Sequence, residues 1–190
     1  MNPSSSSVRL GLLATFAVLM VATRFHHFGT VLHLPDASMA LFFLGGLYLR
    51  RHLPFLALLA LAVLIDWTAV SVAGVSDFCV TPAYAFLLPA YAVLWYGGRA
   101  WSGGGMRGWR GLAGALLVAC ACASLSFLIS NGAFYWLGGR YPHPEWSQYL
   151  ARVWQWGPLF VRTTMTYVIG ALLVHALIVT FRGRSASLDT

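Results

Sequence analysis

The chain contains no lysine, and only five of its 190 residues are acidic. Charged residues make up 9% of it, where a soluble domain carries about 25%. So few charges cannot cover a water-facing surface, which argues against a soluble protein. The 59% hydrophobic content argues equally against disorder. Cysteine is scarce: Cys79, Cys120 and Cys122, with no CxxC, do not make a disulfide framework. Signatures of catalysis are missing as well. There is no HExxH, GxSxG, Walker loop, dinucleotide fingerprint or paired-carboxylate arrangement. Any ATP hydrolysis belongs to another chain.

What is present is apolar sequence punctuated by arginine. The net charge of +7 comes from twelve arginines set singly or in pairs between apolar runs. That distribution fits membrane-topology signals, not a nucleic-acid surface. Six runs approach the roughly 20 apolar residues of a membrane span, at about 8–23, 37–49, 55–73, 82–96, 111–129 and 159–181. The expectation is an all-α membrane protein, one integral domain over residues 1–190 with six transmembrane helices. The first run reads as a retained helix, since no small-residue cleavage site follows it. With the N-terminus on one side, that side holds Arg9, Arg50, Arg51, Arg99, Arg107, Arg110, Arg182 and Arg184. The other holds only Arg24, Arg140 and Arg152. The positive-inside rule then puts both termini in the cytoplasm.

Unusual polar residues collect on the outer side, where function in membrane proteins concentrates. Cys79 lies in Ser76-Asp77-Phe78-Cys79-Val80-Thr81-Pro82. Thr81 before Pro82 reads as a helix N-cap with proline at the first helical position. A thiol just before a helix N-terminus is favoured as thiolate, a good ligand for a soft metal. The competing reading is a small buried hydrophobe. Asp66, on the outer half of the third run, is a costly charge. It is either a site residue or a structural partner of Arg24 or Arg162. His26, His27 and His33 share the first outer loop; His27 is the best site candidate of the three. His175, near the inner end of the sixth run, reads as structural. Tyr84 and Tyr91 form an aromatic stripe, with Tyr84 nearer the mouth. Residues 145–156 read as an amphipathic helix with Glu145, Gln148, Arg152 and Gln155 on its polar stripe. It either lies on the membrane or acts as a lid that turns Arg152 toward a ligand. Cys120 and Cys122, in a small-residue run, read as close packing.

A basic 20.7 kDa membrane protein with an outward aromatic cup is similar to the substrate-binding subunits (S-components) of energy-coupling-factor transporters. With DFCVTPAY before the fourth helix, RFHHFG after the first and LIDW in the third, it resembles the BtuM family of cobalamin transporters over essentially its whole length. The resemblance implies an S-component-like bundle in the bacterial inner membrane that binds and takes up cobalamin. It implies Cys79 as axial ligand of the cobalt, with His27, Asp66, Tyr84 and Arg152 around the corrin. It implies a partner that is either an energy-coupling module or none. The first helix departs from related subunits. Its alanines, Ala14, Ala17 and Ala22, make no i,i+4 pair for docking a coupling subunit. Thiolate ligation donates electron density through the metal, so the chain is also expected to remove the upper cyanide of cyanocobalamin reductively, with Cys79 as the reacting group. The alternative is a membrane redox or haem protein using Cys79 and a loop histidine.

Overall fold

The expected apolar runs become helices, and their ends are set by proline, glycine and the few charges. In the computed structural model, residues 3–24, 34–103 and 108–188 are described. They form α1 (Pro3–Arg24), α2 (Ser38–Tyr48), α3 (His52–Ser71), α4 (Leu87–Trp101), α5 (Gly108–Leu137) and α6 (Trp146–Leu188). Two short 3₁₀ turns, Asp77–Cys79 and Pro82–Phe86, lie between α3 and α4. No strand occurs among the described residues. Four segments are long and apolar enough to cross a membrane: Ser6–Arg24, His52–Ser71, Gly108–Leu137 and Trp146–Phe181. At 11 residues, α2 is about 16 Å long, half of a hydrocarbon core.

The centre of the bundle is α2. Nine of its 11 residues, including Phe42, Phe43 and Leu44, are buried. It packs against α4, and glycine makes that contact possible. A Cβ at Gly46 would run into the Trp95 carbonyl, and one at Gly98 into the Phe43 carbonyl. Phe42 stacks on Tyr91 of α4 with ring centroids 4.1 Å apart. At the other end of α4, the Trp101 indole donates to the Gly111 carbonyl of α5 over 3.1 Å.

Three expectations are corrected. Residues 145–156 and 159–181 are not separate helices but one continuous α6 of 43 residues, with Pro158 inside it. Proline inside a helix removes one hydrogen bond and crowds the carbonyl four residues back, so a helix continues through it only where packing offsets that cost. Here Gly157 and Phe160 both lie against Phe127 of α5, which holds the segment in line. Residues 146–156 therefore form the first turns of α6. Second, Arg24 belongs not to a loop but to the last turn of α1, where it is 8% exposed. Third, Thr81 stands at the N-cap with Pro82 opening the helix, as expected, but its side chain makes no capping hydrogen bond. Its hydroxyl is buried without a partner among the described residues, and the helix is a five-residue 3₁₀ turn.

The register of α6 follows from Tyr167, whose hydroxyl donates to the Pro35 carbonyl ahead of α2 over 2.7 Å. Trp146 starts α6 21 residues earlier, about 30 Å of helix beyond that level. The last turns of α5 and the first turns of α6 thus extend past the start of α2.

Candidate functional site

Four helices meet at Arg24. Its Nε donates to Asp66 Oδ1 over 2.7 Å and its Nη2 to Asp66 Oδ2 over 2.5 Å, a two-pronged pair between α1 and α3. Its Nη1 donates to Tyr91 Oη of α4 over 2.8 Å and to Ser38 Oγ of α2 over 3.1 Å. The same nitrogen reaches Asp36 Oδ2 at 3.3 Å. Asp36 Oδ1 is already occupied, accepting from Ser38 N at 2.9 Å and Ser38 Oγ at 2.6 Å. Tyr84 donates to Asp66 Oδ2 over 2.7 Å. Asp66 lies five residues before the end of α3, about 7 Å below that end. One guanidinium faces two carboxylates, so the cluster carries a net charge of −1. Such a charge at this depth is expensive unless donors surround it, and here Ser38 and Tyr84 supply them beside Arg24.

Beside Asp36 the bundle holds a cavity of about 270 Å³. Met39, Leu87, Leu159 and Phe160 make its apolar walls; Asp36, Ser126, Ser130 and Thr163 bring polar atoms to it. Ser126 is only 2% exposed and has no hydrogen-bond partner among the described residues. A wider groove of about 600 Å³ runs along α3 past Leu56, Val63 and Trp67, but its lining is all aliphatic and tryptophan side chains. Its residues suit lipid, and the cavity beside Asp36 is the better ligand candidate.

Beyond the cavity, the end of α5 and the start of α6 carry an aromatic cluster. Tyr135 lies 4.6 Å from Tyr141 and 5.5 Å from Tyr149, ring to ring. Trp136 lies 4.8 Å from Trp146. The Glu145 amide donates to Tyr135 Oη over 2.8 Å, and Tyr135 donates to Gln148 Oε1 over 2.6 Å. Arg152 is placed here. Its Nη2 donates to Asn131 Oδ1 over 3.3 Å, and its guanidinium lies over the Tyr141 ring at 5.2 Å. Among the described residues, Arg152 Nε and Asn131 Nδ2 are buried donors without partners.

The Cys79 turn is fastened to this cluster by Arg140. That residue donates to the Phe78 carbonyl over 3.1 Å and to the Asp77 carbonyl over 3.2 Å. Phe78 in turn lies 5.6 Å from Phe134 of α5. Cys79 itself closes the first 3₁₀ turn; the placement of its thiol is outside what is described, and so are His26, His27 and His33.

The structure therefore brings Asp66 and Tyr84 together and puts Arg152 in a separate group with Asn131 and Tyr141. Of the two arginines weighed as partners of Asp66, the pair is with Arg24; Arg162 is exposed on α6. Asp36, Ser38 and Arg140 were missed as site residues, and Tyr91 counted only as packing. Asp36 was legible as an acid just before an apolar run. Arg140 follows Gly138-Gly139 and carried no signal beyond its charge. Among the described residues no three His, Cys, Asp or Glu side chains gather as metal donors. No known family profile matches the chain, and no curated protein matches it.

Proposed function

We propose that this chain binds cobalamin on the outer side of the bacterial inner membrane and takes it up, as a six-span S-component-like bundle with both termini in the cytoplasm. The observation that carries the reading is the Arg24–Asp66 cluster, buried below an aromatic outer rim and next to a polar-lined cavity. A corrinoid is large, partly apolar and rimmed with amides, and it calls for aromatic surface with a few fixed polar anchors. Asp66, Tyr84 and Arg152, the residues the resemblance implies, all stand on that side of the bundle, as does the Cys79 turn. The macrocycle already supplies most of the cobalt's ligands, so a single thiolate from Cys79 suffices and no cluster of protein donors is needed. α2 and the 20 residues of Pro82–Trp101 complete the six crossings, with α2 shielded from lipid on all sides by its neighbours.

Removal of the upper cyanide belongs to the same reading. Two corrinoids, each held through Cys79, take one electron apiece from two low-molecular-weight thiolates, which couple to a disulfide; cobalt(II) remains in each, and each cyanide leaves with its bonding pair. The haem alternative is less well supported. His175 lies against Tyr48 with ring centroids 5.7 Å apart, at the opposite end of α2 from Asp36.

The test is the absorption spectrum of the protein purified from cells fed cyanocobalamin, with growth of a cobalamin-dependent host as its companion. A corrinoid spectrum and growth above empty vector are expected. A haem spectrum, or no chromophore and no growth with the protein present in the membrane, overturns the reading.

A further inference from the structure

The cavity beside Asp36 has a shape and chemistry that the aromatic rim does not. It is closed by four elements, the start of α2 and the flanks of α4, α5 and α6. At about 270 Å³ it falls below the roughly 300–1,000 Å³ of pockets that hold a drug-sized ligand. A corrinoid cannot enter it whole, but a side arm of about five heavy atoms can, with room for ordered water at about 30 Å³ each.

Its polar atoms are arranged for one kind of group. Asp36 Oδ1 is saturated by Ser38, while Oδ2 has only the long 3.3 Å contact to Arg24. Ser126, buried on α5, and Thr163, on α6, also line the cavity. A primary amide offers two N–H donors and one carbonyl acceptor. Its N–H fits Asp36 Oδ2, and its carbonyl fits the hydroxyls of Ser126 and Thr163. Its methylene stem would lie against Met39 and Leu87. A carboxylate offers acceptors only, and would meet a cluster in which Asp36 and Asp66 outweigh Arg24 by one negative charge.

We propose that this cavity receives one propionamide arm of the corrinoid, and that Asp36 makes the protein select amidated corrinoids over those with a free acid at that arm. The inference rests on the corrinoid reading above. Lipid headgroups are poor rivals, because the commonest anionic ones would place phosphate against the same negative cluster.

The experiment measures affinity of the full-length protein for cyanocobalamin and for its three propionate monoacids, each with one amide hydrolysed. One monoacid is expected to bind at least tenfold more weakly than cyanocobalamin, and the other two within threefold of it. In Asp36→Asn, the weak monoacid is expected to recover to within threefold. Three monoacids that all bind like cyanocobalamin overturn the proposal, and so does a penalty that survives Asp36→Asn. Should Asp36→Asn fail to fold, Ser126→Asp adds a charge to the cavity lining and must deepen the penalty for the same monoacid; an unchanged penalty refutes the subsite. If cyanocobalamin itself does not bind, the corrinoid reading falls, and the subsite with it.

Discussion

Replacing Arg24 with leucine removes the one cation of the cluster and leaves its acids in place. The leucine matches the aliphatic part of the side chain, so the perturbation is electrostatic. Five donor contacts disappear: two to Asp66 and one each to Asp36, Ser38 and Tyr91. Asp66 keeps only Tyr84, and Asp36 keeps only Ser38. Breaking a buried pair by removing one partner costs about 3–5 kcal/mol, because the remaining charge is stranded. Asp66 and Asp36 side chains keep 16% and 27% exposure, so solvent screening puts the expected loss at the lower end, about 3 kcal/mol. Asp36→Asn, by contrast, leaves the two-pronged Arg24–Asp66 pair intact and should cost about 1 kcal/mol, the worth of one long contact. Unfolding in mixed micelles, followed by tryptophan fluorescence, gives both numbers. The double variant Arg24→Leu with Asp66→Asn should recover part of the loss, since it removes a stranded charge. If Arg24→Leu is no less stable than Asp36→Asn, the cluster is not what holds α1 to α3 and α4, and the reasoning fails.

Two further outcomes follow from other parts of the molecule. Cys79→Ser replaces a soft thiolate with a hard neutral hydroxyl; the cobalt spectral shift and the loss of cyanide should both vanish, while Cys120→Ser and Cys122→Ser keep them, and a Cys79→Ser protein that processes cyanocobalamin at the parent's rate would remove the thiol from the mechanism. Gly46→Ala forces a methyl against the Trp95 carbonyl and should destabilise by about 2 kcal/mol or more in the same micelle assay, whereas Gly11→Ala, with open space around it, should be neutral or stabilising; equal effects at the two glycines would refute the close α2–α4 approach.

The sequence exposed the helices and the charge on α3, and for the same reason: in an apolar chain, both runs and interruptions stand out. It was weaker wherever an ending depended on a partner. The first apolar run was closed at Thr23, because an arginine reads as the start of a loop; Arg24 stays helical because acids from α3 and the start of α2 receive it. The sequence suggests one helix ending at residue 156 and another starting at 159, and only the packing of Phe127 against Phe160 shows why a single helix runs through Gly157 and Pro158. Tyr91 looked like one more packing aromatic. Its hydroxyl acquires a role from Arg24, which is 67 residues away in the chain, a distance no local pattern spans.

The shortness of α2 bears on how the protein is made. A segment of 11 residues cannot hold itself across a bilayer as it leaves the ribosome. Its buried face, with Phe42, Phe43 and Leu44, needs α4 for its close packing, and α4 is synthesised some forty residues later. The buried packing of α2 therefore waits on the second half of the chain. Asp66 and Arg24 spend the same interval incompletely partnered, because Tyr84 and Tyr91 have not yet been translated. Because Gly46 meets Trp95, the close packing of α2 is completed only after α4 has been made.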